Sequence, residues 1–182
     1  MMPVGHVAYT WAALVWLQTH GRAGGVDLRA AAIAALFPDL VDKPVSLTLL
    51  SNSGTSQGLA HTLLAQSTLS AVTALTRPEW LPYALISNSH LVADQMWKYP
   101  RTLLFPFSRK LDSWQYMGSP SAMLSAYAEI ISRPGILAVE LVGVALLLFA
   151  LRGAKLSSRR SWRSLLATGK LKPEATGQKQ CA

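Results

Sequence analysis

Apolar residues in this chain gather into five long stretches, over about 6–18, 29–50, 58–76, 80–97 and 134–151, with short polar punctuation between them. None alternates with the period of two that marks a half-buried strand, so the pattern predicts an all-α protein. A first helix is predicted from about His6 to Gln18, ending near Gly21. The second stretch, LRAAAIAALFPDLVDKPVSLTLL, starts helical and then meets Pro38 and Pro44. It is predicted to break there, because proline removes a helical hydrogen bond and clashes with the preceding turn. A small-residue loop, SNSGTSQG over 51–58, leads to a third helix from about Leu59 to Thr76. Arg77-Pro78-Glu79 reads as a turn that opens a fourth helix running to about Trp97. Residues 98–118 read as an irregular connection and 120–132 as a short helix.

The last stretch, ILAVELVGVALLLFAL with its flanks, is the clearest candidate for a membrane span. Arg133-Pro134-Gly135 opens it and Arg152-Gly153 closes it. Eighteen helical residues cover about 27 Å, close to the ~30 Å hydrocarbon core of a bilayer. Glu140 inside the run leaves a long buried helix as the alternative. No Lys or Arg precedes the first stretch and no convincing A-x-A cleavage site follows it, so a signal peptide is not expected there. The expected architecture is a membrane-embedded helical bundle of about four to five spans, with the second helix broken at Pro38 and Pro44.

Charge changes the picture only after it is located. The 182 residues include 17 Lys+Arg and 9 Asp+Glu, a net charge of +8. From Arg152 onward there are eight basic residues and one acid, so residues 1–151 hold nine basic and eight acidic groups. The chain therefore divides into a nearly neutral body over 1–151 and a basic tail over 152–182. The tail is expected to be cytoplasmic under the positive-inside bias, and disordered beyond about residue 168. Arg159-Arg160-Ser161-Trp162-Arg163 within it reads as a short amphipathic segment suited to anionic headgroups. A body that is half hydrophobic and has only 14% charged residues in the whole chain excludes intrinsic disorder. The same numbers argue against a soluble nucleic-acid module, and no nucleic-acid partner is expected. The bilayer is the expected partner, and Trp11, Trp16, Trp80, Trp97 and Trp114 fit interfacial anchors. The single cysteine, Cys181, excludes a disulfide framework and a cysteine-rich zinc site.

Against so apolar a background, the few acids and histidines stand out. Asp39, Asp42, His61, His90 and Asp94 lie within apolar stretches, and His6 opens the first. An ionisable group in a membrane segment is costly unless paired or ligated, which makes each a functional candidate. His90 and Asp94 are four residues apart and project from one helix face about 6 Å apart, a spacing that suits one divalent ion. Asp39 and Asp42 flank the expected break, where carboxylates can turn toward a shared centre. Three imidazoles and three carboxylates suit zinc, manganese or iron, in one site or in a pair. Other readings stand beside this one: a surface hydrogen bond for His90–Asp94, a local Asp42–Lys43 ion pair with Lys43 snorkelling to the interface, and a helix-start role for His6. Gln95 and Trp97 adjoin Asp94 and are candidates for substrate contact. His20, Asp27 and Asp112 fall in loops, where solvated side chains need no further account.

The order of these motifs resembles a family. Gly5-His6, Phe37-Pro38-Asp39-Leu40-Val41-Asp42-Lys43-Pro44, Gly58-Leu59-Ala60-His61-Thr62-Leu63-Leu64 and Ser89-His90-Leu91-Val92-Ala93-Asp94-Gln95-Met96-Trp97, followed by Leu103-Leu104-Phe105-Pro106-Phe107, are similar to the membrane-bound, metal-dependent hydrolase group. That group includes inner-membrane proteins described as LexA-regulated or LexA-binding, and the likeness covers about residues 3–108. The resemblance implies a distant likeness in fold to zinc-dependent phospholipase C and the P1-type nucleases. It further implies metal-ligand roles for His6, Asp39, His61, His90 and Asp94, with Asp42 as a further ligand or general base. Many members carry a His-Arg pair where this chain has Ser56 and Gln57, and others have P-D-x-D-H where it has the longer P-D-L-V-D-K.

The leading expectation is a membrane-bound hydrolase in which a divalent ion, zinc first, activates water against a phosphoester or other ester with a lipid moiety. Asp42 or Asp39 would take the proton. A scaffold or regulatory protein with a structural His/Asp metal site is the alternative. A transporter is the third, less suited to ligands gathered at helix ends and breaks.

Overall fold

A computed structural model describes residues 1–48, 57–112, 119–154 and 159–171. The described residues form helices and turns with no strand. Helix α1 spans Pro3–Thr19, α2 Leu28–Thr48, α3 Leu63–Thr76 and α4 Leu81–Ala93. A single turn, α5 over Pro100–Leu103, precedes α6 (Pro120–Ser132), α7 (Pro134–Gly153) and α8 (Arg159–Thr168). Trp114, Ser56 and Cys181, singled out above, lie outside the described residues, as does the tail from 172 onward.

The second helix does not break. It runs unbroken through Pro38 and Pro44 for 21 residues. A helix-interior proline costs about 3 kcal/mol, so packing must outweigh it. Ala31, Ala34, Ala35, Pro38, Asp39, Asp42 and Ser46 are all buried on one side of α2, against α1 and α4. Pro38 also leaves the Ala34 carbonyl without its helical donor, and in the turn loosened there the neighbouring Ala35 carbonyl accepts a side-chain hydrogen bond from α4.

Among the described helices, only α7 is long and apolar enough to cross a bilayer, with a mean hydropathy of 2.3 over its best window. The expected four to five spans therefore reduce to one that meets both criteria. The physical reason is plain in the others. Helices α1, α3 and α4 are 17, 14 and 13 residues long, short of the ~20 a span needs. Helix α2 is long enough but carries Arg29, Asp39, Asp42 and Lys43. Helix α7 lies along α1 through a close approach at Gly143, where a Cβ would come within 2.8 Å of the Tyr9 ring. The Tyr9 hydroxyl donates to the Val139 carbonyl at 2.8 Å. Glu140 is buried on the same face and accepts the Met2 amide at 2.8 Å.

An apolar core of Leu14, Val15, Val26, Leu28, Ala31 and Leu165 joins α1, α2 and α8. Leu165 is 2% exposed, so part of the expected basic tail folds back as a helix and packs on the body. Trp11 belongs to this region, donating to the Leu28 carbonyl at 2.7 Å, whereas Trp16, Trp80 and Trp97 are exposed. Asp27 and Asp112 are cap residues. Asp27 accepts the Arg29 and Ala30 amides at the start of α2, and Asp112 accepts the Arg101 and Thr102 amides of α5.

Candidate metal centre

Three elements deliver the buried polar residues to one place. Helix α2 presents Asp39 and Asp42 at i and i+3. Helix α4 presents His90 and ends at its C-cap, Asp94; Gln95 follows in the left-handed region with φ +54°, so the helix stops short of Trp97. His61 sits in a 3-10 turn, Leu59–His61, just before α3 rather than on its first turn. Thr62 caps α3 by accepting the Ala65 amide at 3.1 Å, which fixes where the turn ends and the helix begins.

Four atoms converge. His61 Nε2 lies 3.6 Å from Asp39 Oδ1 and 3.9 Å from Asp94 Oδ2. His90 Nε2 lies 3.8 Å and 3.4 Å from the same two oxygens. All four atoms fall within 4.8 Å of one another. Zinc bonds of about 2.0–2.2 Å in a tetrahedron put ligand atoms about 3.3–3.6 Å apart, so the four surround a space that one such ion fits with little movement.

Each of the four is also held from behind. His90 Nδ1 donates to the Ala35 carbonyl at 2.8 Å. Because a carbonyl only accepts, the proton sits on Nδ1 and the Nε2 lone pair faces inward. His61 Nδ1 meets Asp42 Oδ2 at 2.7 Å, which fixes the same tautomer. Neither Nε2 atom has a hydrogen-bond partner among the described residues, though both are fully buried. Asp39 offers Oδ1 to the centre while Oδ2 pairs with Lys43 Nζ at 2.5 Å. Asp94 offers Oδ2 while Oδ1 meets His6 Nε2 at 3.0 Å and the Met1 amino group at 2.6 Å. Inward-facing atoms backed by carboxylates and carbonyls are the arrangement that orients ligands in metal sites.

Six residues were singled out from the sequence, and the structure brings four of them together. Asp42 stands one layer out. Its Oδ2 accepts the Gly58 and His61 amides at 2.8 and 3.1 Å as well as His61 Nδ1, and its Oδ1 accepts the Ala60 amide at 3.0 Å. A Cβ at Gly58 would lie 3.1 Å from Asp42 Oδ1, so a larger residue there would press on this carboxylate. Asp42 is thus placed to orient His61. His6 is likewise outside the four, stacked on His90 with ring centroids 3.9 Å apart and bonded to the far oxygen of Asp94. Lys43 pairs with Asp39 across one helical turn, not with Asp42, and its ammonium also lies over the Tyr127 ring of α6.

Lys43 and Gln57 take part in the site in ways the sequence pattern alone does not predict. The Lys43–Asp39 pair has the i,i+4 spacing of an ion pair along a helix. Gln57, whose Nε2 lies 3.4 Å from Asp94 Oδ2, is fully buried beside the centre. It had been noted only as a departure from a motif. Trp97 is exposed, and neither it nor Gln95 belongs to the group of four.

Three buried carboxylates share this region with one lysine and the Met1 amino group, so with neutral imidazoles the cluster carries net negative charge. Buried charge of one sign is costly unless it is neutralised, and a divalent cation would do so. An all-α protein with one membrane-length helix and a buried His/Asp cluster able to take a metal ion is the class these features define. Residues 1–158 match the family described as YdjM inner membrane protein, and the chain belongs to that family. No curated protein and no solved structure matches it.

Proposed function

We propose that this protein is a membrane-bound, metal-dependent hydrolase acting on a phosphoester or other ester of a lipid-linked substrate. The observation that carries the reading is the pair of buried imidazole Nε2 atoms, each with its tautomer fixed from behind and each facing two carboxylate oxygens at 3.4–3.9 Å. His61, His90 and Asp94 would hold the ion, with Asp39 Oδ1 beside it. Zinc suits two imidazoles and two carboxylates best, and manganese or iron could use the same donors. When bound, the ion would supply Lewis acidity and a water activated near neutral pH.

The chain's own residues supply the rest. Asp39 is the more direct candidate for general base, with Asp42, behind His61, the other. Asp39 Oδ1 faces the centre, and the ion pair with Lys43 keeps the carboxylate oriented while Oδ1 accepts a proton. His6 behind Asp94 and Asp42 behind His61 hold their partners' orientation. The Gln57 carboxamide at 3.4 Å from Asp94 adds a donor beside the reacting position.

A second reading, a metal-bound scaffold without turnover, is favoured by the count of four candidate protein ligands, since structural zinc sites are closed and catalytic ones keep a position open. The absence of cysteine from the four favours catalysis, because structural sites are built largely on thiolates. The test uses the full chain purified in detergent, with metal content by elemental analysis and hydrolysis of bis-p-nitrophenyl phosphate and of a p-nitrophenyl ester. The hydrolase reading expects about one bound ion per chain and a hydrolysis rate that falls by 10²–10⁴-fold in Asp39→Asn. A bound ion with neither substrate cleaved favours the scaffold. A protein free of zinc, manganese and iron, with stability unchanged by chelator, removes both.

A further inference from the structure

A groove of about 740 Å³ runs between α2 and α3 on the far side of the walls that carry the centre. Its sides are Phe37 and Val41 of α2, Leu69 and Val72 of α3, and Phe105 beyond α5. The volume is that of a small-molecule site, and the lining is almost wholly apolar. Two of its polar residues are already satisfied within the protein. The Thr62 hydroxyl donates to the Leu59 carbonyl and accepts the Ala65 amide. Gln66 donates to the Ala60 carbonyl at 2.7 Å and accepts the Ser87 hydroxyl at 2.9 Å. Both groups are buried and engaged within the protein, so what the groove chiefly offers an occupant is apolar surface.

Its position ties it to the centre. Phe37 and Val41 bracket Asp39 on α2, and Ala60 and Thr62, both lining residues, bracket His61. The groove and the centre thus lie on opposite faces of α2 and of the 59–61 turn. The apolar surface is not accounted for by a span. Helix α3 has 14 residues, about 21 Å, which is short of the ~30 Å hydrocarbon core. Yet Phe37, Val41 and Val72 are 38%, 38% and 51% exposed, an open apolar face of the kind that marks an interaction site. For a chain of an inner membrane protein family, the hydrocarbon at hand is the bilayer's own.

We infer that this groove holds an acyl chain of a membrane lipid, entering from the bilayer with its ester-bearing end toward α2 and the 59–61 turn. This rests on the hydrolase reading and gives its substrate class: a diacyl phospholipid or a lipid-linked phosphoester rather than a soluble ester.

The test is acyl-chain photolabelling. The full chain is reconstituted in vesicles of phosphatidylethanolamine and phosphatidylglycerol doped with a phosphatidylcholine bearing a diazirine in one acyl chain, and the adducts are mapped by mass spectrometry. Labelling at Leu69 and Val72 should exceed that at the outward face of α7, Leu141 and Phe149, several-fold. In Ala65→Trp, which fills the groove, it should fall to the α7 level while bound metal is unchanged. Val72→Trp, at a half-exposed position, provides the same test if the first variant does not fold. Labelling of the groove no stronger than that of α7, or unchanged in the variant that folds, overturns the inference, as does its replacement by crosslinks between copies of the chain. Groove labelling in a protein that binds no metal would leave the acyl site standing and sink the hydrolase reading alone.

Discussion

The same three helices build two ends of this molecule that hold together in different ways. At one end, α1, α2 and α4 contribute Leu14 and Val15, Leu28 and Ala31, and the partly buried Tyr83 and Ile86 to an apolar core closed by Leu165. At the other they contribute His6, Asp39 and Asp42, and His90 and Asp94. Along α2 the two sets are 11 residues apart, about 16 Å. The polar residues lie near the start of α1 and toward the ends of α2 and α4, so α1 runs against the other two. The apolar end is complete in itself, since burial of hydrocarbon needs no further partner. The polar end is incomplete: two buried imidazole nitrogens have no hydrogen-bond partner among the described residues, and the three carboxylates outnumber the Lys43 and Met1 cations beside them. One end is stabilised by what the chain buries; the other is built so that a bound cation would stabilise it.

The comparison breaks or holds first at Leu165. Truncating a fully buried leucine typically costs about 2–5 kcal/mol. Leu165→Ala should lower thermal stability in detergent by a shift of that size, the same with saturating zinc as with chelator. A loss that appears only when metal is present would mean the two ends are one cooperative unit through the centre, and the contrast would fall.

Asp42 tests the other end. The carboxylate behind a metal-ligating histidine typically contributes 10–100-fold in metal affinity, about 1.4–2.7 kcal/mol. Asp42→Asn should weaken metal binding by that factor, read by competition with a chromogenic chelator. It should also shrink the thermal shift that added zinc produces. Unchanged affinity with a lower baseline stability would make Asp42 a brace for the 58–61 turn and nothing more.

How much of this was legible in the sequence differs between the two ends for the same physical reason. Ionisable residues in apolar stretches are rare and costly, so Asp39, His61, His90 and Asp94 stood out without any knowledge of the fold. Their division of labour did not. That Asp42 faces three backbone amides depends on the turn at 58–61 meeting α2, a tertiary fact with no local signature. The apolar end was hidden in the opposite way: Leu165 is one leucine among many, in a segment whose basic residues suggested solvent. Pro38 and Pro44 misled because their local cost is read directly from the sequence, while the packing that outweighs it is not. Of the expected spans, α7 is the one among the described helices that meets the criteria of length and charge as well as apolar composition.

The smallest effect concerns how α8 is held onto the apolar end. Arg29 donates to the Leu166 and Ala167 carbonyls at 3.1 and 2.9 Å, where the negative end of the α8 dipole favours a cation. Asp27 aims that guanidinium, pairing with it at 2.7 Å. Hydrogen bonding to Arg29 holds the Asp27 carboxyl down to about 2, from an ordinary value of 3.8. A carboxyl lowered on folding stabilises the folded state above its unfolded value, and that contribution fades as pH falls from about 4 to about 2. The pair is exposed and its effect is correspondingly modest. Asp27→Asn should therefore loosen α8 slightly at neutral pH, seen as faster amide exchange at Thr168 and Gly169 after correction for intrinsic rates. The gap from wild type should close between pH 4 and pH 2. Thr168 is exposed, but the Gly169 amide is tied to the Leu165 carbonyl and reports the last turn directly. A gap of constant size across that range would mean that the asparagine has changed the α2 cap rather than the charge on α8. The latch would then be geometric like the rest of its end, with no electrostatic part.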